Sequence, residues 1–308
     1  MPENAPDRQN VATALPSRWA VDDIARGGTF GCVGRRMAMT AASKSVALPD
    51  GVELSYVEQG EPSGLPMLLL HGVSDSWRSF EPVLPHLPAS LHTFALSQRG
   101  HGDSGRPAAG FAPHEFAADV AAFMDVVGLG SAVIVGHSMG TSIAQRFALD
   151  HPGRVVGLVL AGSFFASWRG SPAVVDLRDS AISTLTDPID PAFVREFQES
   201  TLARPMPPAF LEAIVRESLK VPARVWRAVF ESFLEADFSA QLGEIKTPTL
   251  IVWGDRDAIC PRSEQEALAA AIAEAQLVVY ANAGHALHWE EPQRFADDLV
   301  AFAERLGG

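Results

Sequence analysis

From residue 45 onward, short apolar runs alternate with longer stretches of helical periodicity. Met67–Leu70, Thr93–Leu96, Ala132–Val135, Val155–Leu160 and Thr249–Trp253 are apolar on consecutive positions, as strands buried on both faces must be. Leu277–Tyr280 closes the series. Ser45–Leu48 and Val52–Val57 flank Pro49-Asp50-Gly51, a composition that predicts a hairpin turn. Helices are expected over Pro113–Val127, Ser138–Asp150, Arg262–Ala273 and Pro292–Leu306. Eight strands alternating with helices imply a mostly parallel, doubly wound sheet covered on both faces.

Between Leu160 and Pro248 the alternation stops. Residues 163–240 read as several short helices, broken at Pro188, Pro191, Pro205, Pro207, Pro208 and Pro222. This stretch is rich in Phe and Trp. A helical insert after the sixth strand is expected to lie as a cap over a site at the strand C-termini, with residues 45–162 and 241–308 forming the core. Residues 1–44 show no sustained period, with six Lys/Arg against four acids. They read as a disordered tail or a start placed too early, with Met37 or Met39 as internal candidates. The segment after Arg35-Arg36 is too short and too polar for an export signal.

Composition narrows the function classes. The chain has 308 residues and a net charge of −13, which disfavours contact with phosphate backbones and hence nucleic acid. No apolar run reaches the ~20 residues of a membrane-spanning helix. Two cysteines, Cys32 and Cys260, make no disulfide framework and point to a cytoplasmic location. The sequence carries no sign of oligomeric state.

The chemistry begins after the fifth strand. Gly136-His137-Ser138-Met139-Gly140 matches G-x-S-x-G between a strand and a helix, where a sharp turn lifts the Ser138 hydroxyl above the sheet edge. A serine needs a base, and His285 follows the last strand directly. A carboxylate must orient that base. Asp255 and Asp257 both qualify; Asp257, further into its loop, is preferred, with Asp255 closing the turn beside Arg256. An oxyanion hole needs two backbone donors: Met139 N–H, and Val73 N–H in the loop His71-Gly72-Val73-Ser74. Substrate-binding side chains are expected at Phe164, Trp168 and Trp226 of the insert, and at His288 and Trp289 beyond the base. Arg78, Arg99, Arg169 and Arg227 are the cations with potential to converge on a carboxylate. His71, His101 and His137 read as loop supports, and His137, beside the nucleophile, is also placed where it could touch substrate. The histidines fall in separate motifs without H-E-x-x-H spacing, so no metal and no cofactor is expected.

With these residues in hand, the chain over about 45–306 resembles the α/β-hydrolase superfamily, in its capped esterase, lactonase and haloperoxidase-like branch. The resemblance rests on Leu70-His71-Gly72, Gln98-Arg99-Gly100-His101-Gly102-Asp103-Ser104, the Ser138 pentapeptide, Trp253-Gly254-Asp255-Arg256-Asp257, and Gly284-His285. It departs at Ser97, where relatives often carry Asp, and at Thr141, where they often carry Gly. Dehalogenases and epoxide hydrolases of the superfamily use a carboxylate nucleophile, so Ser138 argues against both. The resemblance implies acyl transfer on a small-to-medium apolar ester or lactone. Alternatives are C–C hydrolysis of vinylogous diketones, cofactor-free perhydrolysis, and, outside catalysis, a hydrolase-fold ligand-binding protein.

Overall fold

The computed structural model describes residues 42–307. Arg35-Arg36, Met37, Met39 and Cys32 lie outside the described residues. The strands are β1 (Lys44–Ala47), β2 (Glu53–Gln59), β3 (Leu65–Leu70), β4 (Leu91–Leu96), β5 (Ala132–His137), β6 (Val155–Ala161), β7 (Thr249–Gly254) and β8 (Ala275–Tyr280). They form one sheet in the order β1-β2-β4-β3-β5-β6-β7-β8. β1 and β2 run antiparallel through the expected hairpin, and β2 is antiparallel to β4. Every pairing from β4 to β8 is parallel.

The consecutive apolar runs divide between two cores with the period of two that a pleated strand imposes. Leu68, Leu70, Ile134, Leu158 and Leu160 face one core; Met67, Leu69, Val133, Val135 and Val159 face the other. Helices α1 (Pro113–Val126) and α2 (Met139–Asp150) cover the first face. The C-terminal helix, Pro292–Leu306, covers the second with Phe295, Leu299 and Phe302, spaced one and two turns apart on a single stripe.

The chain lies on both sides of β3. It steps outward to β4, then crosses back to pair β5 on the other side. Connections that leave neighbouring parallel strands in opposite directions open a crevice at the strands' carboxyl ends. The loops after β3, β5, β7 and β8 carry His71–Asp75, Ser138, Asp257 and His285, all at that edge.

Between β6 and β7 come four helices: α3 (Pro172–Ser180), α4 (Pro191–Glu199), α5 (Pro208–Ser218) and α6 (Ala223–Glu235). The prolines do not break these helices so much as begin them. Pro172, Pro191 and Pro208 each occupy a first-turn position, and Pro207 and Pro222 are N-caps, where a missing N–H costs nothing. Two more helices follow β7 and β8: α7 (Arg262–Ala271) and the short α8 (Leu287–Glu290), leaving Pro292–Leu306 as α9. No helix among the described residues is long and apolar enough to cross a membrane.

Candidate active site

Ser138 stands between β5 and α2 with φ of 52° and ψ of −118°. A non-glycine residue at such a backbone angle is strained, and its surroundings hold it there. Its N–H donates to Ala161 O at 3.0 Å, and its carbonyl accepts from Thr141 N at 2.8 Å and Thr141 Oγ1 at 2.6 Å. The threonine that replaces a common glycine thus ties down the turn. A Cβ on Gly136 would lie 2.3 Å from Gly140 O, and one on Gly140 would lie 2.1 Å from Leu70 O. Gly140→Ala is therefore expected to force β3 and α2 apart, at a cost of about 3 kcal/mol, measured as an earlier urea midpoint. An unshifted midpoint would show that the elbow has slack.

His285 Nδ1 lies 2.9 Å from Asp257 Oδ2. A carboxylate acceptor there means that Nδ1 carries the proton and Nε2 a lone pair. Nε2 is buried and has no partner among the described residues. Asp257 is itself held: its Oδ1 accepts from Ile259 N at 2.8 Å and Cys260 N at 2.9 Å. Asp255 sits elsewhere, exposed, accepting from Asn282 N at 2.6 Å and 3.9 Å from Arg256 Nε.

Asp257, Cys260 and His285 bring three potential metal donors within 4.8 Å of one another. Those donors are occupied by one another and by backbone. The Cys260 thiol donates to Gly162 O at 3.4 Å, and burial pushes its pKa well up. A thiol held protonated is inert. Iodoacetamide at pH 8 is expected to leave Cys260 unmodified in the native protein and to modify it in urea, by peptide mass spectrometry. Native labelling would contradict its burial.

The crevice over Ser138 is a cavity between the loops and the helices of the insert. Val73, Ser138, His285, Phe164, Trp168 and Trp289 all line it. The Met139 side chain packs into the core beneath. The backbone N–H groups of Val73 and Met139 donate to no backbone acceptor among the described residues.

Two expected lining residues do not reach the cavity. Trp226 is fully buried behind it, edge-on to Phe197 at 5.0 Å and stacked on Phe230 at 6.5 Å. α6 turns Phe230 toward the cavity and packs Trp226 among the insert's own aromatics. His288 is buried one layer below: its Nε2 meets Ser79 Oγ at 3.0 Å, and its ring packs on His137 at 4.2 Å. Burial pushes its pKa down to about 3, so it is a neutral support.

The four arginines do not converge. Arg99 forms a buried fork with Asp119, joining the loop after β4 to α1. Arg78 pairs with Glu81 and Glu217, while Arg169 and Arg227 donate to the carbonyls of Leu234 and Leu185. His71 supports its loop through Gly72 O at 2.7 Å and Gln98 N at 3.0 Å, and His101 through Arg99 O at 2.8 Å.

Sequence reasoning missed the polar lining residues Asp75, Gln198, Ser200 and Thr201. Asp75 directly follows the recognised segment His71–Ser74, yet nothing in its spacing says that it turns inward. Gln198 is an unremarked polar position of α4, and only the packing of α4 on that loop brings it in.

A family model described as alpha/beta hydrolase fold matches residues 66–292. The chain belongs to that family. It is thus an enzyme of the alpha/beta hydrolase superfamily, with an eight-stranded, mostly parallel sheet. Among this hydrolase's relatives is a non-heme haloperoxidase of Rhodococcus erythropolis, 28% identical over 274 residues, covering 84% of this chain and 98% of the relative. Among solved structures, the esterase RhEst1 from Rhodococcus sp. ECU1013 superposes with a TM-score of 0.76 at 26% identity, covering 86% and 99% of the two chains. Est816, described as an N-acyl homoserine lactone degrading enzyme, superposes with a TM-score of 0.68 at 28% identity, covering 82% and 98%.

Proposed function

We propose that this hydrolase cleaves a carboxylic ester or lactone through an acyl-enzyme on Ser138, with His285 as base and Asp257 as its orienting carboxylate. One observation carries the reading. His285 donates through Nδ1 to Asp257 and leaves Nε2 free, and it lines the same cavity as a serine on a strained strand-to-helix turn. His285 Nε2 takes the Ser138 proton as Oγ attacks the carbonyl carbon. The developing oxyanion is held by Val73 N–H and Met139 N–H, which have no backbone acceptor of their own among the described residues. His285 then protonates the leaving alcohol, and a water activated by the same nitrogen cleaves the acyl-enzyme. Residues 163–240 act as the cap, and the apolar wall of Phe164, Trp168, Leu177, Phe197 and Phe230 suits a small-to-medium apolar group.

Similarity to the Rhodococcus haloperoxidase favours a second use of the same residues, in which peroxide replaces water at the acyl-enzyme and a peracid leaves.

The test is turnover of p-nitrophenyl esters from acetate to palmitate, together with labelling by a phosphonate probe. Turnover with a short-to-medium optimum and an adduct at Ser138 are expected. An unlabelled Ser138 with no turnover of any ester would overturn the assignment.

A further inference from the structure

The cavity is apolar on the side of the insert but not beside Gly72. Asp75 lines it and is 3% exposed. Its Oδ1 accepts from Gln198 Nε2 at 3.0 Å and its Oδ2 from Ser79 Oγ at 3.1 Å. Each oxygen keeps a further site for a hydrogen bond. Burial pushes the carboxyl up to about 7, so a neutral acid that both donates and accepts is readily available near neutral pH.

His137 faces the same place. Its Nε2 lies 3.1 Å from His285 O, and a carbonyl only accepts, so Nε2 carries the proton. Burial, with neighbouring His288 and His285, holds the ring neutral. Nδ1 is then a bare acceptor, buried and without a partner among the described residues. A buried acceptor left unpaired is unfavourable, and a ligand donor there relieves it. The point that a Cβ on Gly72 would occupy lies 3.1 Å from His137 Nδ1, 3.4 Å from Asp75 Oδ2 and 3.2 Å from Ser138 Cβ. The two polar atoms thus converge beside the serine, on the side where glycine leaves the backbone bare.

We propose that Asp75 and His137 form a polar subsite beside Ser138 that binds a hydroxyl on the acyl part of the substrate, making the preferred substrate a hydroxy-acyl ester or lactone. The inference rests on the serine hydrolase reading. A hydroxyl donates to His137 Nδ1 and accepts from the Asp75 acid, which satisfies both groups. A carboxylate would meet a lone pair on one side and an acid near Glu217 on the other. The leaving oxygen must turn to His285 to be protonated and the carbonyl oxygen to Val73 N–H and Met139 N–H, so of the substrate's branches the acyl chain is the one free to carry the hydroxyl. Asp75 is joined through Gln198 Nε2 to Ser74 Oγ at 3.2 Å and Ser218 Oγ at 2.8 Å. This network clamps the subsite between the β3 loop and the insert.

The experiment compares kcat/KM for p-nitrophenyl butyrate with its 2-hydroxy, 3-hydroxy and 2-amino analogues, each divided by its hydroxide-catalysed rate. The wild type is expected to favour a hydroxy ester by about tenfold or more, the scale of one buried hydrogen bond. The preference falls toward unity in Asp75→Leu and persists in Asp75→Asn, whose amide keeps a donor and an acceptor. If Asp75→Leu fails to fold, the wild-type ratio and the Asn variant still decide. A wild-type ratio near one, a preference for the amino ester, or a preference untouched by Asp75→Leu would each overturn the subsite while leaving ester hydrolysis standing. Loss of the hydrolase reading looks different: no ester, plain or hydroxylated, is turned over and Ser138 takes no phosphonate.

Discussion

Ser138→Ala is expected to lower ester turnover by at least about four orders of magnitude, since removing the nucleophile of such a set forfeits the action of the whole. The fold should survive. Alanine keeps the Cβ, so the strain at φ 52° is unchanged, and the serine hydroxyl caps no helix amide whose loss would leave an orphan. The bonds that hold the turn run through the Ser138 backbone to Ala161 and Thr141. The measurement is kcat on the best ester beside a thermal melt. Near-normal turnover from a folded variant would remove Ser138 from the mechanism.

Asp257→Asn is the second large effect, about 10⁴-fold in kcat. The reason lies in which oxygen holds what. Ile259 N and Cys260 N both donate to Oδ1, so an asparagine there keeps its carbonyl oxygen toward those amides. Its NH2 then faces His285 Nδ1, which must present a lone pair. The proton moves to Nε2, and the base is lost in its neutral form. Asp255→Asn serves as the comparison. Its carboxylate only closes a turn with Asn282 N, so a modest change in stability and activity within about threefold is expected. If Asp255→Asn is the more damaging of the two, the assignment of the carboxylate is wrong.

The strands were legible because a strand buried on both faces has no choice of composition. Met67–Leu70 and Ala132–Val135 must be apolar at every position to feed two cores at once. Boundaries moved by a residue or two, as at β8, which begins at Ala275 instead of Leu277. In sequence the prolines of the insert read as breakers, yet several are helix starts, since proline at the first turn and proline after a helix leave the same mark. Phe164, Trp168 and Trp289 reach the cavity, and Trp226 and His288 do not. An aromatic at helical spacing announces that it will be buried. Whether it meets the cavity or its fellow aromatics depends on the helix's rotation, which α6 settles by contacts with Phe193 and Phe197 of another helix.

Local chemistry and order along the chain determined the sheet, the insert's position after the sixth strand and the glycine-flanked Ser138 turn. Each depends on neighbours in sequence: period, turn residues, and the absence of a Cβ where backbones meet. Only the tertiary structure decided that Asp75 and Gln198 turn into the cavity, that His137 Nδ1 is left without a partner among the described residues, and that the arginines disperse. The first two outcomes join segments more than 100 residues apart, Asp75 to Gln198 and His137 to His285. Sequence spacing carries no information about which side chains a crevice will bring face to face.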